Sequence, residues 1–317
     1  MKLTVSRRAS HFADHIPVLV LVLLFAFSSV MSERFLSPVN LTNILLQAAV
    51  MAVVAIGMTF VVVGGGFDLS VGSVVALAGC IAAEVMTSRG VAAGIMAGVL
   101  SGGLVGLANG LIIAQLNVSP FIVTLGSMVL VRGVALLLTK GAPVVGGDEG
   151  LPSSFLAFGA VRLLGVPALV WAAFMIFVVC AWLLHKTAFG TRVFATGGNR
   201  EAAFLAGVPV RRVTTTAYII CGTTAGAAGV MLAARLQSGQ PTAGEFYELT
   251  AIAAVVLGGA SLMGGEGQLY RSMIGVLIMT ALANSLNLMG IDSYWQRVAI
   301  GLVIIAAAAA DQVRRRC

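Results

Sequence analysis

Ionisable and amide side chains are scarce in this chain, so the few that interrupt its apolar runs define what chemistry it could do. Asp68 stands in VVVGGGFDLSVG (61–72), directly before an apolar segment, and Arg132 stands inside VLVRGVALL. A charge at membrane depth faces protein, water or a headgroup, and by default marks a path or a relay. For Asp68 the simpler role is local: Asp68 or Ser70 caps the helix that follows. For Arg132 the simpler role is snorkelling to an interface. Asn109, Gln115, Thr124, Ser127, Asn284 and Asn287 are amides and hydroxyls within apolar helices. Each alone reads as an interhelical hydrogen bond. As a group, with Asn109, Thr124, Ser127 and Asn284 foremost, they could line a weakly polar path. Such a path suits a neutral polyhydroxyl solute, which needs hydroxyl and amide partners but no counter-charge.

Bond-making chemistry has no candidate residues. The three histidines are His11, His15 and His185, and no HExxH, paired-carboxylate or GxSxG arrangement occurs. The GxxxxGK[ST] phosphate loop is also missing, so ATP binding by that route is excluded. Cys80, Cys180 and Cys221 lie in apolar runs and read as small buried hydrophobes, with Cys317 at the last position and no CxxC pair. No metal or cofactor is expected. Ion-coupled carriers usually place carboxylates at the midplane, whereas the acids of the early spans, Asp68 and Glu84, can both sit at helix ends.

The elements that hold these residues must lie in a bilayer. Of 317 residues, 59% are hydrophobic and 10% charged, against about 25% charged in soluble domains. Mean hydropathy is +1.03. The 38 glycines suit helices that pack closely in lipid. The net charge of +7 reports topology rather than nucleic-acid binding, because the basic residues cluster in loops and at the ends. The run 16–31 is too long for a signal-peptide core and lacks a small-residue cleavage end, so it reads as a retained span.

Taking about 20 apolar residues per span, the chain divides into ten: 15–32, 41–63, 70–87, 91–115, 120–139, 166–185, 214–234, 249–263, 269–288 and 294–311. The expected fold is an all-α polytopic membrane protein in one domain, 1–317. Of the glycine-rich stretches 64–89 and 249–268, either could be a broken or re-entrant segment. Twelve of the nineteen basic residues fall on one side, including Lys186, Arg192, Arg200, Arg211 and Arg212 of a central loop. The positive-inside rule then places both termini and that loop in the cytoplasm. The other face receives 140–165 and 235–248, with Asp148, Glu149, Glu245 and Glu248. VVVGGGFDLSVG also echoes VVLGGASLMGGEG (255–267). This topology runs both copies in the same direction, which does not fit a simple inverted repeat.

The central stretch 186–213 is the long basic and polar interruption of the chain, and it encodes a short helix. Asn199 is an N-cap, Glu201 complements the helix dipole, Gly207 is a stop and Pro209 forbids continuation. A helix this short needs a surface to lean on. Ala202 and Ala203 beside Phe204 and Leu205 offer one, either to its own loop or to a soluble partner.

Four segments together resemble a known family: AIGMTFVVVGGGFDLSVGS (55–73), NVSPFIVTLGSMVLVRGVA (117–135), FGTRVFATGGNREAAFLAG (189–207) and AIAAVVLGGASLMGGEG (251–267). The chain from about Asn40 to Asp311 resembles the integral membrane permeases of ribose-type ABC importers, the branch that carries ribose, xylose, galactofuranose and related monosaccharides. Phe67 and Glu266 depart from that pattern, where a smaller aliphatic residue and a Val-like residue are common. The resemblance implies a permease in the bacterial inner membrane that carries no nucleotide site. Its implied partners are cytoplasmic ATP-binding subunits, a periplasmic sugar-binding protein and a second permease subunit, identical or not. It further implies that Asn199, Arg200, Glu201, Ala202, Ala203 and Gly207 form the coupling helix that meets the ATPase. The rival reading is a secondary carrier working alone on an ion gradient. A membrane-embedded enzyme ranks last.

Overall fold

Long apolar runs can satisfy their backbone in lipid only as helices, and the chain obeys that rule. A computed structural model describes residues 3–146 and 150–316; Lys2, Asp148, Glu149 and Cys317 lie outside them. The helices are α1 (Leu3–Met31), α2 (Pro38–Val63), α3 (Val71–Arg89), α4 (Val91–Leu116), α5 (Pro120–Thr139), α6 (Ser153–Ala160), α7 (Ala168–Lys186), α8 (Ala188–Gly198), α9 (Arg200–Leu205), α10 (Val210–Leu236), α11 (Tyr247–Leu257), α12 (Leu269–Leu288) and α13 (Ser293–Arg316). A two-residue hairpin, β1 (Arg162–Leu163) with β2 (Val166–Pro167), precedes α7. Among the described residues, seven helices are long and apolar enough to cross a membrane: α2, α3, α4, α5, α7, α10 and α12. Three shorter apolar helices, Ile16–Met31, Tyr247–Leu257 and Tyr294–Ala306, complete the set. Each of the ten expected segments therefore contains an apolar helix, and the fold is all-α and polytopic.

The centre is α10, packed on α2, α3 and α4. Lipid tails are as apolar as leucine, so helices associate in a membrane by close van der Waals contact rather than by expulsion from water. The chain achieves this with glycine. On α4, Gly94, Gly98, Gly102, Gly106 and Gly110 recur every fourth residue and form its buried face. A Cβ on Gly102 would strike the Gly222 carbonyl and come within 2.8 Å of the Gly226 Cα; one on Gly110 would come within 2.8 Å of the Thr215 Cα. The order of these pairs makes α4 antiparallel to α10. Gly79 of α3 against Gly229, with Gly66 in the stretch leading into α3 against Tyr218, makes α3 parallel to α10. The opposite faces of α4 and α5 expose Leu104, Leu116, Val129 and Leu137.

Polar rungs fix the outer layer. Asn40 and Asn284 exchange two amide hydrogen bonds of 3.0 and 2.9 Å, and the Thr59 hydroxyl donates to Ser272 Oγ at 3.0 Å. Together they bind α12 antiparallel along α2. At the base of α12 the Leu269 N–H donates to His185 Nε2 of α7 at 3.2 Å.

The break foreseen within 249–268 is present: α11 ends at Leu257 and residues 258–268 form a turn-rich stretch before α12. Two expectations change. The stretch 186–213 holds a second helix, α8, ahead of α9. Residues 235–248 do not form an outer loop. After α10 the chain turns back along α3, where a Cβ on Gly239 would lie 2.7 Å from the Cys80 Cα and one on Gly244 would lie 2.6 Å from the Gly72 carbonyl. Glu248 consequently begins α11 beside the start of α3. The physical reason is that this Gly- and Pro-containing run is unbranched enough to lie flat on α3, with its carbonyls served by protein. The two echoing segments do run in one direction: α2 and α11 both end in glycine breaks that converge on the same place, described below.

Gly102→Leu forces side-chain volume between two backbones, an overpacking that costs about 1–3 kcal/mol or more. A large drop in detergent melting temperature is expected, whereas Gly126→Leu, with open space around its Cβ, should melt like the parent.

Candidate functional site

Two features of the structure could do work: non-helical backbone among the spans, and one polar helix outside them. The first break is 64–70. Its N–H and C=O groups leave the helical ladder between α2 and α3, so side chains must replace the lost partners. Asp68 is 1% exposed. Its Oδ1 accepts from the Ser70 N–H at 2.9 Å and from Ser70 Oγ at 2.6 Å. Asn109 of α4 donates to Ser70 Oγ at 3.0 Å. Tyr218 of α10 donates its hydroxyl to the Phe67 carbonyl at 2.8 Å. Asp68 thus makes an Asx turn onto the last residue before α3 rather than capping the first helical turn. Phe67, one of the two departures from the family pattern, offers its backbone to the bundle whatever its side chain.

The second break is the descent 237–246. Gly239 exchanges two 2.8 Å backbone bonds with Val144. Arg132 of α5 donates through Nη1 to the carbonyls of Pro241 at 2.6 Å and Ala243 at 2.7 Å. A guanidinium at the centre of a membrane helix costs about 2.5–3.5 kcal/mol on insertion scales. Here it does not snorkel; it satisfies carbonyls that have no helical partner.

The polar helix is α9. Asn199 is extended (φ −157°, ψ 104°) and its Oδ1 accepts from the Ala202 N–H at 2.9 Å. At the far end Gly207 is left-handed (φ 81°). The Val208 N–H returns to the Ala203 carbonyl at 3.0 Å and the Gly207 N–H to Phe204 at 2.9 Å, the paired bonds of a Schellman stop. Ala203 is buried against the loop, while Phe204 is 69% and Leu205 79% exposed. Arg200, Glu201 and Ala202 are exposed as well. α8 leads into α9, with Thr187 as its N-cap and Gly190, Val193 and Thr196 on its buried face.

Between α8 and α9 the chain meets both glycine breaks. A Cβ on Gly197 would strike the Val63 carbonyl at the end of α2 and lie 2.7 Å from the Gly265 nitrogen; one on Gly264 would lie 2.8 Å from both the Gly197 carbonyl and the Gly65 Cα. The Gly265 N–H donates to the Val63 carbonyl at 2.8 Å. Backbones from 64–65, 197–198 and 264–265 therefore touch at one junction directly behind α9.

Residues 40–308 match a family model described as branched-chain amino acid transport system / permease component. The chain belongs to this permease family. Ribose import permease protein RbsC of Bacillus subtilis (strain 168) is 44% identical over 298 residues, 93% of this chain and 92% of the relative. Its counterpart in Escherichia coli (strain K12) is 42% identical over 303 residues, 94% and 93% of the two chains. L-arabinose transport system permease protein AraH of Escherichia coli (strain K12) is 40% identical over 304 residues, 94% and 90%. No solved structure matches. The permease is a transport component rather than an enzyme, and a multi-pass protein of the inner membrane.

Of the four residues singled out for a path, three are engaged by protein partners. Asn109 braces the first break and Asn284 pairs with Asn40. Thr124 is fully buried and donates to the Pro120 carbonyl at 2.8 Å. Ser127 is half-buried on α5, one turn from Arg132's level. Sequence reasoning missed the backbone role of Arg132, whose partners lie more than a hundred residues away, and the buried Tyr218.

Asp68→Leu leaves the Ser70 N–H buried without its acceptor, a loss of about 1–3 kcal/mol. Its melting temperature in detergent should fall clearly, while Asp68→Asn keeps the acceptor oxygen and should stay near the parent.

Proposed function

We propose that this permease forms the translocation path of an ATP-driven importer for a monosaccharide or related small polyol, and that α9 is the handle through which a separate ATPase drives it. The observation that carries the reading is α9 itself. An otherwise apolar protein presents one helix capped at both ends by local chemistry, with Phe204 and Leu205 bare at its tip. Exposed aromatic and aliphatic side chains on a fixed, short helix suit a groove in a soluble partner. Asn199 and Gly207 set its ends, Arg200, Glu201 and Ala202 form its outer face, and Ala203 holds it to the loop.

Sugar cargo follows from the relatives named for ribose and L-arabinose import, so pentoses are the first solutes to test. Ten passes would return both termini to the side of α8–α9, the cytoplasm by the distribution of basic residues. The proposed assembly pairs this chain with a second permease, identical or not, cytoplasmic ATP-binding subunits and a periplasmic sugar-binding protein.

The double variant Phe204→Ser/Leu205→Ser removes two apolar anchors, each worth about 1.5–3 kcal/mol when buried. It should insert and melt like the parent, yet sugar uptake and solute-stimulated ATP hydrolysis in the reconstituted importer should fall by more than about tenfold. Undiminished uptake, or gradient-driven uptake by this chain without an ATPase, would overturn the reading.

A further inference from the structure

The descent 237–246 leaves an open, mostly apolar-walled depression of about 430 Å³ between it, the start of α3 and the middle of α5. Ser73, Arg132, Gly133, Glu245 and Glu248 are among its lining residues. Pockets that hold small molecules run from about 300 to 1,000 Å³, so a monosaccharide fits. The cavity opens on the side of the chain where α5 exposes Val129 (66%).

This placement is costly unless it serves something. One guanidinium and two carboxylates sit among spans, and non-helical backbone at such depth occurs where protein buries it or water fills a cavity. Arg132 spends Nη1 on the Pro241 and Ala243 carbonyls, which fixes the guanidinium plane at the cavity wall. Glu245 and Glu248 line the same space as Arg132, yet among the described residues neither closes to an ion pair with it. Gly72 of α3 makes room for Glu248: a Cβ there would strike the Glu248 carboxylate and the Gly244 carbonyl. The charges are therefore held apart across a gap rather than neutralised against each other.

We propose that Arg132, Glu245 and Glu248 form a solute subsite on the wall of the path, taking a neutral polyhydroxylated molecule. Sugar hydroxyls both donate and accept, so adjacent hydroxyls can bridge from a guanidinium N–H to a carboxylate oxygen across that gap. One cation and two anions leave the site net negative, which disfavours phosphate esters of the same sugars. The subsite rests on the permease reading above, in which a second permease covers the open side.

The test places Cys at Gly133, where a Cβ meets nothing within 4 Å, in a Cys317→Ser background; the other cysteines are buried. Proteoliposomes carrying the importer with its ATPase and binding protein are exposed to a charged, membrane-impermeant thiosulfonate reagent. Uptake of D-ribose and L-arabinose is measured in the same vesicles. Labelling at Gly133→Cys is expected, slowed by D-ribose or L-arabinose but not by D-ribose 5-phosphate. Adding Glu248→Gln should raise the sugar concentration needed for protection about tenfold. Uptake without labelling, labelling that neither sugar slows, or protection indifferent to Glu248→Gln would overturn the subsite alone. A parent importer that moves neither sugar would instead overturn the sugar-import reading, and the subsite with it.

Discussion

Backbone that leaves a helix inside a bilayer has no water to turn to, and that constraint organises this molecule. Three stretches, 64–70, 237–246 and 258–268, run non-helically among its spans. Each is admitted because other parts of the chain supply the missing partners. Tyr218 serves the first, where Asp68 also braces Ser70 from within, Arg132 and Val144 serve the second, and the Val63 carbonyl receives the Gly265 N–H of the third. Side chains that would be expensive in lipid are thereby turned into structural acceptors and donors, and the residues that look most like a relay are first of all replacements for lost ladder bonds.

Close approach makes these replacements possible. Because α4 meets α10 through glycines spaced four apart, backbones come near enough for short polar side chains to span the gap. Asn109 reaches Ser70 from α4, and the Thr215 hydroxyl of α10 reaches the Gly110 carbonyl. The same economy of volume lets the descent after α10 lie against α3, with Gly239 on Cys80 and Gly244 on Gly72. Larger residues at these points would push the chain away from α3 and strand the carbonyls that Arg132 now serves.

What could be read from the sequence was whatever depends on neighbours along the chain. The long spans follow from their length and apolarity, and α9 from Asn199, Gly207 and Pro209, whose capping chemistry is complete within ten residues. α8 was hidden because FGTRVFATGG carries three glycines and several β-branched residues. It is helical because Gly190, Val193 and Thr196 face inward at helical spacing, a signal present but masked by poor propensity. The stretch LQSGQPTAGEF looks the same whether it crosses a surface or dips into a bundle. Only its pairing with Arg132, over a hundred residues earlier, distinguishes the two. Asn284 was recognisable as polar and buried, but that its amide would be consumed by Asn40 is a fact of helix register that no local pattern encodes.

The glycine junction behind α9 has a mechanical corollary. Gly197 sits with its Cα against the hydrogen bond that joins the Gly265 N–H to the Val63 carbonyl, without a side chain to hold that pair away. Any side chain at position 197 would wedge the end of α2 away from the turn before α12 and break the bond between them, so one atom of volume there would unfasten two breaks at once.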